Sequence, residues 1–377
     1  MSIYFDNAAT TSLSKEVLES MMPFLTEQYG NASSTHSFGR SSKAAIEQSR
    51  KIIANQLGCK PGELFFTSCG TEANNMAIKC AVRDLGINYI ISSTIEHHCV
   101  LHTVEEMNKL EHIHVEYVKV LPNGSFDLEH LASLLEKAND KTLVSLMHAN
   151  NETGNLNDIQ KIGELCAKVG AFFHSDTVQT IAHLTFNLKD SKVNFVSGSA
   201  HKFHGPKGVG FLYIKHLTKI ASYIHGGSQE RNLRAGTENV AGIVGMAKAL
   251  ELAYANLTEE RERIDNLKTY FHNQLINEIQ DVKFNTNMEN SIFTVLNISL
   301  PPTFSNEMTL FNLDLKGIAC SGGSACSSGS NLGSHVMQAM NHPSNRKAVR
   351  FSFSKFNTKE EVDTAIEKIK ELALISA

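Results

Sequence analysis

The sequence is defined first by what it lacks. No apolar run approaches the roughly 20 residues of a membrane span. The N-terminus, MSIYFDNAATT, has no basic stretch followed by an apolar core, so no secretory leader is expected. Seven cysteines (Cys59, Cys69, Cys80, Cys99, Cys166, Cys320 and Cys326) are scattered without a Cys-x-x-Cys pair. That argues against a disulfide frame or a structural zinc site and for reduced thiols in a cytoplasm. No glycine-rich run ends in Gly-Lys-Ser/Thr, which removes a nucleoside-triphosphate loop. No G-x-G-x-x-G is present, and GPKGVG (205–210) precedes a strand-like run rather than a helix, so a nicotinamide-binding fold is disfavoured. Internal repeats and low-complexity tracts are missing as well. A formal charge of −4 gives no reason to expect nucleic acid or an anionic membrane as the main partner.

What is there fits a globular chain of 377 residues, with 42% hydrophobic and 20% charged residues and room for a large domain and a smaller one. Short runs rich in β-branched and aromatic residues recur: ELFFTS (63–68), NYIISS (88–93), HVEYVKV (114–120), TLVSLMH (142–148), AFFHSD (171–176), VNFVSG (193–198) and VGFLYI (209–214). Most are near-continuous rather than alternating, as strands buried on both faces are. Helix-period segments lie between several of them, such as DIQKIGELCAKVG (158–170), closed by Gly170. Alternation of this kind predicts a largely parallel sheet covered on both faces. After about residue 238 a long helical stretch leads into SIFTVLNISL and AVRFSFS, and a last helix opens with the capping box Thr358-Lys-Glu-Glu361. This half reads as a second, smaller α+β domain joined by the N-terminal arm.

Ligands of open α/β sheets bind beyond the carboxyl ends of the strands. The segments following those ends are CGTEANN, TIEHH, ANNETG, DTVQ and AHKFHGPKG. Together they offer phosphate-sized donors, an imidazole, an amide, a carboxylate with an amide, and an amine.

Each piece has a plain reading and a functional one. Gly70-Thr71 is either a simple helix cap or a phosphate cradle at a helix N-terminus. Asp176 either braces a helix end or meets a protonated ring nitrogen, with Gln179 close behind. His97, beside His98, is either structural or stacked on a planar cofactor. Lys202 is either a surface lysine in a turn or a half-buried amine whose lowered pKa makes it nucleophilic toward an aldehyde. Pyridoxal phosphate accommodates all the functional readings at once, with Lys202 as its Schiff-base anchor. Cys326 lies in the Gly/Ser-rich CSGGSACSSGSNLG, which cannot pack a core. It is either an incidental thiol or one carried on a loop so that it moves between partners. Cys320, nearer an apolar segment, reads as structural. Arg350 is either an edge-strand ion pair or a bidentate clamp on a substrate carboxylate.

The motifs DNAATT (6–11), GNASSTHSFGR (30–40), TSCGTEANN (67–75), MHANNETG (147–154), SDTVQ (175–179), SAHKFHGPKGVG (199–210), RAGTEN (234–239), GGSACSSG (322–329) and VRFSFS (349–354) run through the whole chain. In this order they resemble the cysteine desulfurases, most closely the branch that supplies sulfur for iron–sulfur clusters and tRNA thiolation. The resemblance implies an α/β protein of the aspartate-aminotransferase fold (pyridoxal-phosphate fold type I), with a mostly parallel seven-stranded sheet. It implies a large domain at 16–257, and a small domain at 1–15 and 258–377 carrying a cysteine loop at about 320–334. Gly70, Thr71, Ser199 and His201 would hold the phosphate, with Thr237 reaching in from the second subunit of a homodimer. His97 would stack on the ring, Asp176 would meet the pyridine nitrogen, and Asn151 and Gln179 would contact the ring oxygen.

By the same resemblance, Arg350 would bind the carboxylate of L-cysteine, with Asn151 beside it. Lys202 would take the Cα proton while the ring stores the electrons. Cys326 would attack the substrate sulfur, giving alanine and a persulfide destined for an acceptor or cluster-scaffold protein. Two departures stand out. TSCGTE replaces the frequent TSGATE, which backbone donors should tolerate, and the chain ends at Ala377, where longer relatives carry a tail that helps dock the scaffold. A selenocysteine lyase or another small-substrate enzyme of the same fold would share Lys202 and Asp176 without requiring Cys326. A catalytically inert sulfur carrier would lack the bound chromophore.

Overall fold

The computed structural model describes residues 2–110, 112–304, 308–322 and 333–375. In chain order, β1 (Ile3–Tyr4) is followed by α1 (Lys15–Thr26) and α2 (Ser37–Leu57). Strands and helices then alternate through β2 (Leu64–Thr67), α3 (Gly70–Leu85), β3 (Tyr89–Ser93), α4 (His98–Met107), β4 (His114–Val118), α5 (Leu128–Leu135), β5 (Thr142–Ser145), α6 (Ile159–Val169) and β6 (Phe172–Asp176). Next come β7 (Phe195–Ser199), β8 (Gly210–Ile214), α7 (Val240–Ala255), α8 (Leu257–Glu278), β9 (Lys283–Phe284), β10 (Val295–Leu300) and α9 (Thr309–Leu315). The chain closes with β11 (Ile318–Ala319), α10 (His335–Ala339), β12 (Lys347–Ser352) and α11 (Lys359–Ile375).

The seven apolar runs singled out in the sequence are the seven strands of one sheet, in the order β2-β8-β7-β6-β5-β3-β4. Neighbours from β4 to β7 are parallel, and β8 runs opposite to both β7 and β2. Every residue of β2, β3, β5, β7 and β8 is buried, which is why these segments read as continuous rather than alternating. The chain leaves β3 toward β4 on one side and places β5 on the other. That reversal opens a crevice at the carboxyl ends of β3 and β5. Gly170 ends α6 in the left-handed region (φ 74°), as the sequence predicts.

A second core gathers on the antiparallel sheet β12-β10-β9. Phe5, Phe271, Phe351 and Phe353 pack edge-on and tilted, with ring centroids 5.0 to 6.1 Å apart. The N-terminal arm belongs to this core at one end, with Ile3 beside Ile318 and Asp6 beside Ser352. At its other end Thr11 donates its backbone N–H to the His201 carbonyl at 2.9 Å. The arm therefore runs from the second core to the connection between β7 and β8. The capping box of α11 forms, with Thr358 N–H on Glu361 Oε2 (3.1 Å) and Glu361 N–H on Thr358 Oγ1 (3.3 Å).

The long helical stretch after residue 238 differs from the expectation of one run. It breaks at Asn256, and α7 and α8 meet at 74°. Asn256 leaves helical geometry (φ −109°, ψ 8°), and its side-chain amide donates to the Leu252 carbonyl at 3.0 Å. The break lets α7 bury Ile243, Met246 and Leu250 in the large core while α8 turns Ile264, Phe271 and Leu275 into the second. The short helix α10 also packs Val336 and Met337 into the large core.

Candidate active site

A cavity of about 250 Å³ opens at the carboxyl ends of the central strands. Lys202, His201 and Ser199 enter it from the end of β7, Asp176 and Gln179 from the end of β6. His97 comes from the segment after β3 and Asn151 from the one after β5. Gly70 and Thr71 open α3 at one wall, and Arg350 on β12 lines the cavity from the second core.

Lys202 ends a single turn of 3-10 helix, and its Nζ donates to the carbonyls of Ala8 (2.6 Å) and Ala9 (2.9 Å) in the N-terminal arm. The glycine of HKFHG is required by close approach. A Cβ on Gly205 would stand 2.8 Å from the Cβ and carbonyl oxygen of Ala200. Beside Lys202, His201 Nδ1 lies 3.2 Å from Thr10 Oγ1, and burial, with Lys202 next, pulls its imidazole down to about 4. His201 is therefore neutral near pH 7.

The wall at α3 is shaped for an anion. Its first turn presents Gly70 and Thr71, and a Cβ on Gly70 would meet Val178 Cγ2 at 2.6 Å. Opposite, the hydroxyl of Ser199 is buried without a hydrogen-bond partner among the described residues. A buried hydroxyl left alone is unusual, and a ligand oxygen is the natural partner for it. Deeper in, Asp176 Oδ2 accepts from Asn74 Nδ2 at 2.7 Å and Oδ1 accepts from the Val178 N–H at 2.9 Å. Gln179 Nε2 donates to the Ala8 carbonyl at 3.1 Å. His97 caps α4 through Nδ1, which accepts from the Cys99 N–H at 3.2 Å, and burial lowers its pKa.

Arg350 forms the ion pair that its sequence position left open, and it also lines the cavity. It is 1% exposed, its Nη2 pairs with Asp6 Oδ1 at 2.7 Å, and its Nη1 donates to the Asn151 carbonyl at 2.7 Å. Its Nε is buried without a partner among the described residues, in a residue that also faces the cavity. Ser321 donates its hydroxyl to the same Asp6 oxygen at 2.8 Å. Cys320, beside Asp6, has its thiol pushed up to about 12 by burial, so it is not ionised near neutral pH. Two further carboxyls, Glu96 and Glu152, are buried, and burial raises both pKa values. Glu96 Oε1 accepts from the Met147 N–H at 2.8 Å, and Glu152 Oε2 accepts from Ser334 Oγ.

Thr237 is exposed and does not line the cavity of its own chain. Its segment is anchored by Arg234, which pairs with Glu72 at 2.7 Å, and by buried Glu230, which takes a two-pronged bond from buried Arg50 at 2.8 Å. Cys326 lies outside the described residues. Sequence reasoning did not assign roles to Asp6, Ala8, Ala9, Asn74 or Cys99. The signal was present, since DNAATT and TSCGTEANN were conspicuous strings, but their partners lie far away along the chain.

Pyridoxal phosphate combines a phosphate, a basic ring nitrogen and an aldehyde. A helix N-terminus with an orphaned serine hydroxyl, a buried carboxylate held by two donors and a half-buried lysine amine converge on this one cavity. The residues present therefore fit the group.

Residues 3–364 match the aminotransferase class-V family. The cysteine desulfurase IscS of Dictyoglomus turgidum is 44% identical over 374 residues, covering 98% of this chain and 94% of that protein. Among solved structures, a NifS-like protein superposes with a TM-score of 0.92 at 37% identity over the full length of both chains. SspA in complex with cysteine superposes at 0.81 with 31% identity, over 95% of this chain and all of that one. The fold is thus that of the type I pyridoxal-phosphate enzymes expected from the motifs. The chain belongs to the class-V aminotransferases and, within them, to the cysteine desulfurases, a family of pyridoxal-phosphate enzymes.

Proposed function

We propose that this chain removes sulfur from L-cysteine, releasing L-alanine and leaving a persulfide on Cys326. The observation that carries the reading is the convergence of Lys202, Asp176 and Arg350 on one cavity. When bound there, pyridoxal phosphate supplies the electron sink for the pair left on Cα. Lys202 is the anchor and then the base that takes the Cα proton on Nζ. Asp176, fixed by Asn74 and the Val178 N–H, would hold a proton on the ring nitrogen. His97 would lie over the ring, while Gly70, Thr71, Ser199 and His201 would hold the phosphate, and Asn151 and Gln179 would contact the ring oxygen. Arg350 orients the substrate carboxylate through the guanidinium protons not used on Asp6 and Asn151. Cys326 as thiolate attacks the substrate sulfur, the Cβ–S bond breaks, and the balance is one cysteine and one thiol to one alanine and one persulfide.

The persulfide passes to an acceptor protein for iron–sulfur cluster assembly or tRNA thiolation, in the cytoplasm. The active form is a homodimer in which Thr237 completes the partner's site. An apolar stripe on α1, made of exposed Leu18, Met22 and Leu25 with Tyr29 and Phe38 nearby, supports the pairing with a second copy. The reading is tested by incubating the protein with L-cysteine. Alanine should appear, and the peptide containing Cys326 should gain the mass of one sulfur atom. Alanine without a persulfide would favour a lyase, and a persulfide on another cysteine would reassign the nucleophile.

A further inference from the structure

In the wall of the cavity, one amide joins three side chains that come from different strands and helices. Asn74, on α3 and fully buried, donates one Nδ2 hydrogen to Asp176 Oδ2 at 2.7 Å and has Cys99 Sγ at 3.2 Å from the same nitrogen. Its Oδ1 lies 3.0 Å from His174 Nε2. The carboxylate of Asp176 only accepts, so the amide orientation is fixed, and Oδ1 must accept from His174 Nε2–H. His174 is fully buried, and burial pulls it down to about 4, so it is neutral. Its Nδ1 is then bare and takes the hydroxyl hydrogen of Ser145 at 2.8 Å. No member of this row has a spare choice of proton position.

The other limb reaches His97. Burial pushes the Cys99 thiol well above its ordinary range, so the sulfur keeps its hydrogen. Accepting from Asn74, Cys99 directs that hydrogen to His97 Nδ1 at 3.0 Å, which also accepts from the Cys99 N–H at 3.2 Å. Two donors on Nδ1 place the proton of neutral His97 on Nε2.

We propose that Asn74 is a positioning residue that orients the carboxylate of Asp176 and, through the Cys99 thiol, reinforces the tautomer of His97 that the Cys99 N–H sets. The inference rests on the reading of this cavity as a pyridoxal-phosphate site. It gives one side chain control over the group beneath the ring nitrogen and the imidazole over the ring. Asn74 lines the cavity wall beside Asp176 and Cys99, and the role proposed for it is exerted through these two side chains.

The test is a double-mutant cycle read by titrating the apoprotein with pyridoxal phosphate. Asn74→Ala should weaken binding on the order of tenfold, the scale of a hydrogen bond to a charged group. In an Asp176→Asn background the same substitution should change affinity by no more than about twofold, because the group it orients has lost its charge. A purely structural role for Asn74 would give equal losses in both backgrounds, and that outcome overturns the proposal. Should Asn74→Ala fail to fold, Cys99→Ala tests the second limb in the intact holoprotein. In nitrogen-15 spectra of labelled histidine, with His97→Gln used for assignment, the His97 Nδ1 resonance should move toward that of a nitrogen with fewer donors. An unchanged resonance would remove the thiol limb and with it the proposed control of His97. If the parent apoprotein binds no pyridoxal phosphate, the functional reading itself fails and takes this inference down with it.

Discussion

Arg350 and Asp6 form an ion pair of 2.7 Å in the wall of the cavity, with the guanidinium almost wholly buried. The pair joins the first strand region of the chain to β12, near its end, and Asn151 from the large sheet supplies a third contact at 2.7 Å. A guanidinium has enough hydrogens to hold Asp6 and the Asn151 carbonyl and still meet a substrate carboxylate. An ammonium group has three hydrogens on one point and no planar fork. Arg350→Lys should therefore lose about 1.5–3 kcal/mol of apparent cysteine affinity. Cofactor content should stay intact, and the measurement is KM for cysteine beside the visible absorbance. An unchanged KM would leave Arg350 as an ion-pair partner of Asp6 alone.

Lys202 is tested by Lys202→Ala. Its Nζ is bonded to the Ala8 and Ala9 carbonyls, and among the described residues no other lysine lines the cavity. The variant should still bind pyridoxal phosphate through Ser199 and the first turn of α3, but reversibly. Borohydride treatment followed by denaturation should leave no cofactor attached. A covalently retained cofactor would place the anchor on a different lysine.

The strands of the large sheet were legible because burial on both faces leaves a continuous apolar signature, and Gly170 and Thr358 marked helix ends through local chemistry. Residues such as Lys202 and Asp176 were legible because a cation or a carboxylate at a buried strand end demands a reason. Asn74 carried no such mark. An asparagine in a helix is unremarkable until His174, Asp176 and Cys99 arrive from elsewhere in the chain to use every one of its polar positions. The break at Asn256 was hidden for a related reason, since α7 and α8 are each good helices and only their opposite cores require the bend.

Glu96 predicts how stability depends on pH. Burial raises its pKa well above the ordinary 4.5, so the folded protein keeps the proton that the unfolded chain releases. A group raised on folding stabilises fully below its unfolded pKa, and the contribution is lost as pH climbs toward the folded value. Glu152, raised by burial as well, acts in the same direction. Glu96→Gln keeps the acceptor for the Met147 N–H and cannot ionise. Between about pH 5 and about pH 8 the Tm of the parent should fall more steeply than that of the variant. Parallel Tm curves would mean that Glu96 does not titrate differently on folding.

Cys326 separates desulfuration from neighbouring chemistry on the same fold. In the proposed reaction, binding of cysteine and removal of its Cα proton rely on Lys202, Arg350 and the electron sink, and none of these steps uses a second thiol. Breaking the Cβ–S bond by transfer needs a nucleophile for the sulfur. A serine hydroxyl is not ionised near neutral pH, whereas a thiol with a pKa of roughly 8.5 or lower is partly so. Cys320 cannot substitute, because burial holds its thiol at about 12. Cys326→Ser should therefore still show a cysteine-dependent change in visible absorbance, yet release no alanine and gain no sulfur. Cys320→Ser should form alanine and persulfide at nearly the parent rates. Alanine released by Cys326→Ser at nearly the parent rate would mean that sulfur leaves without a cysteine acceptor, as in a lyase.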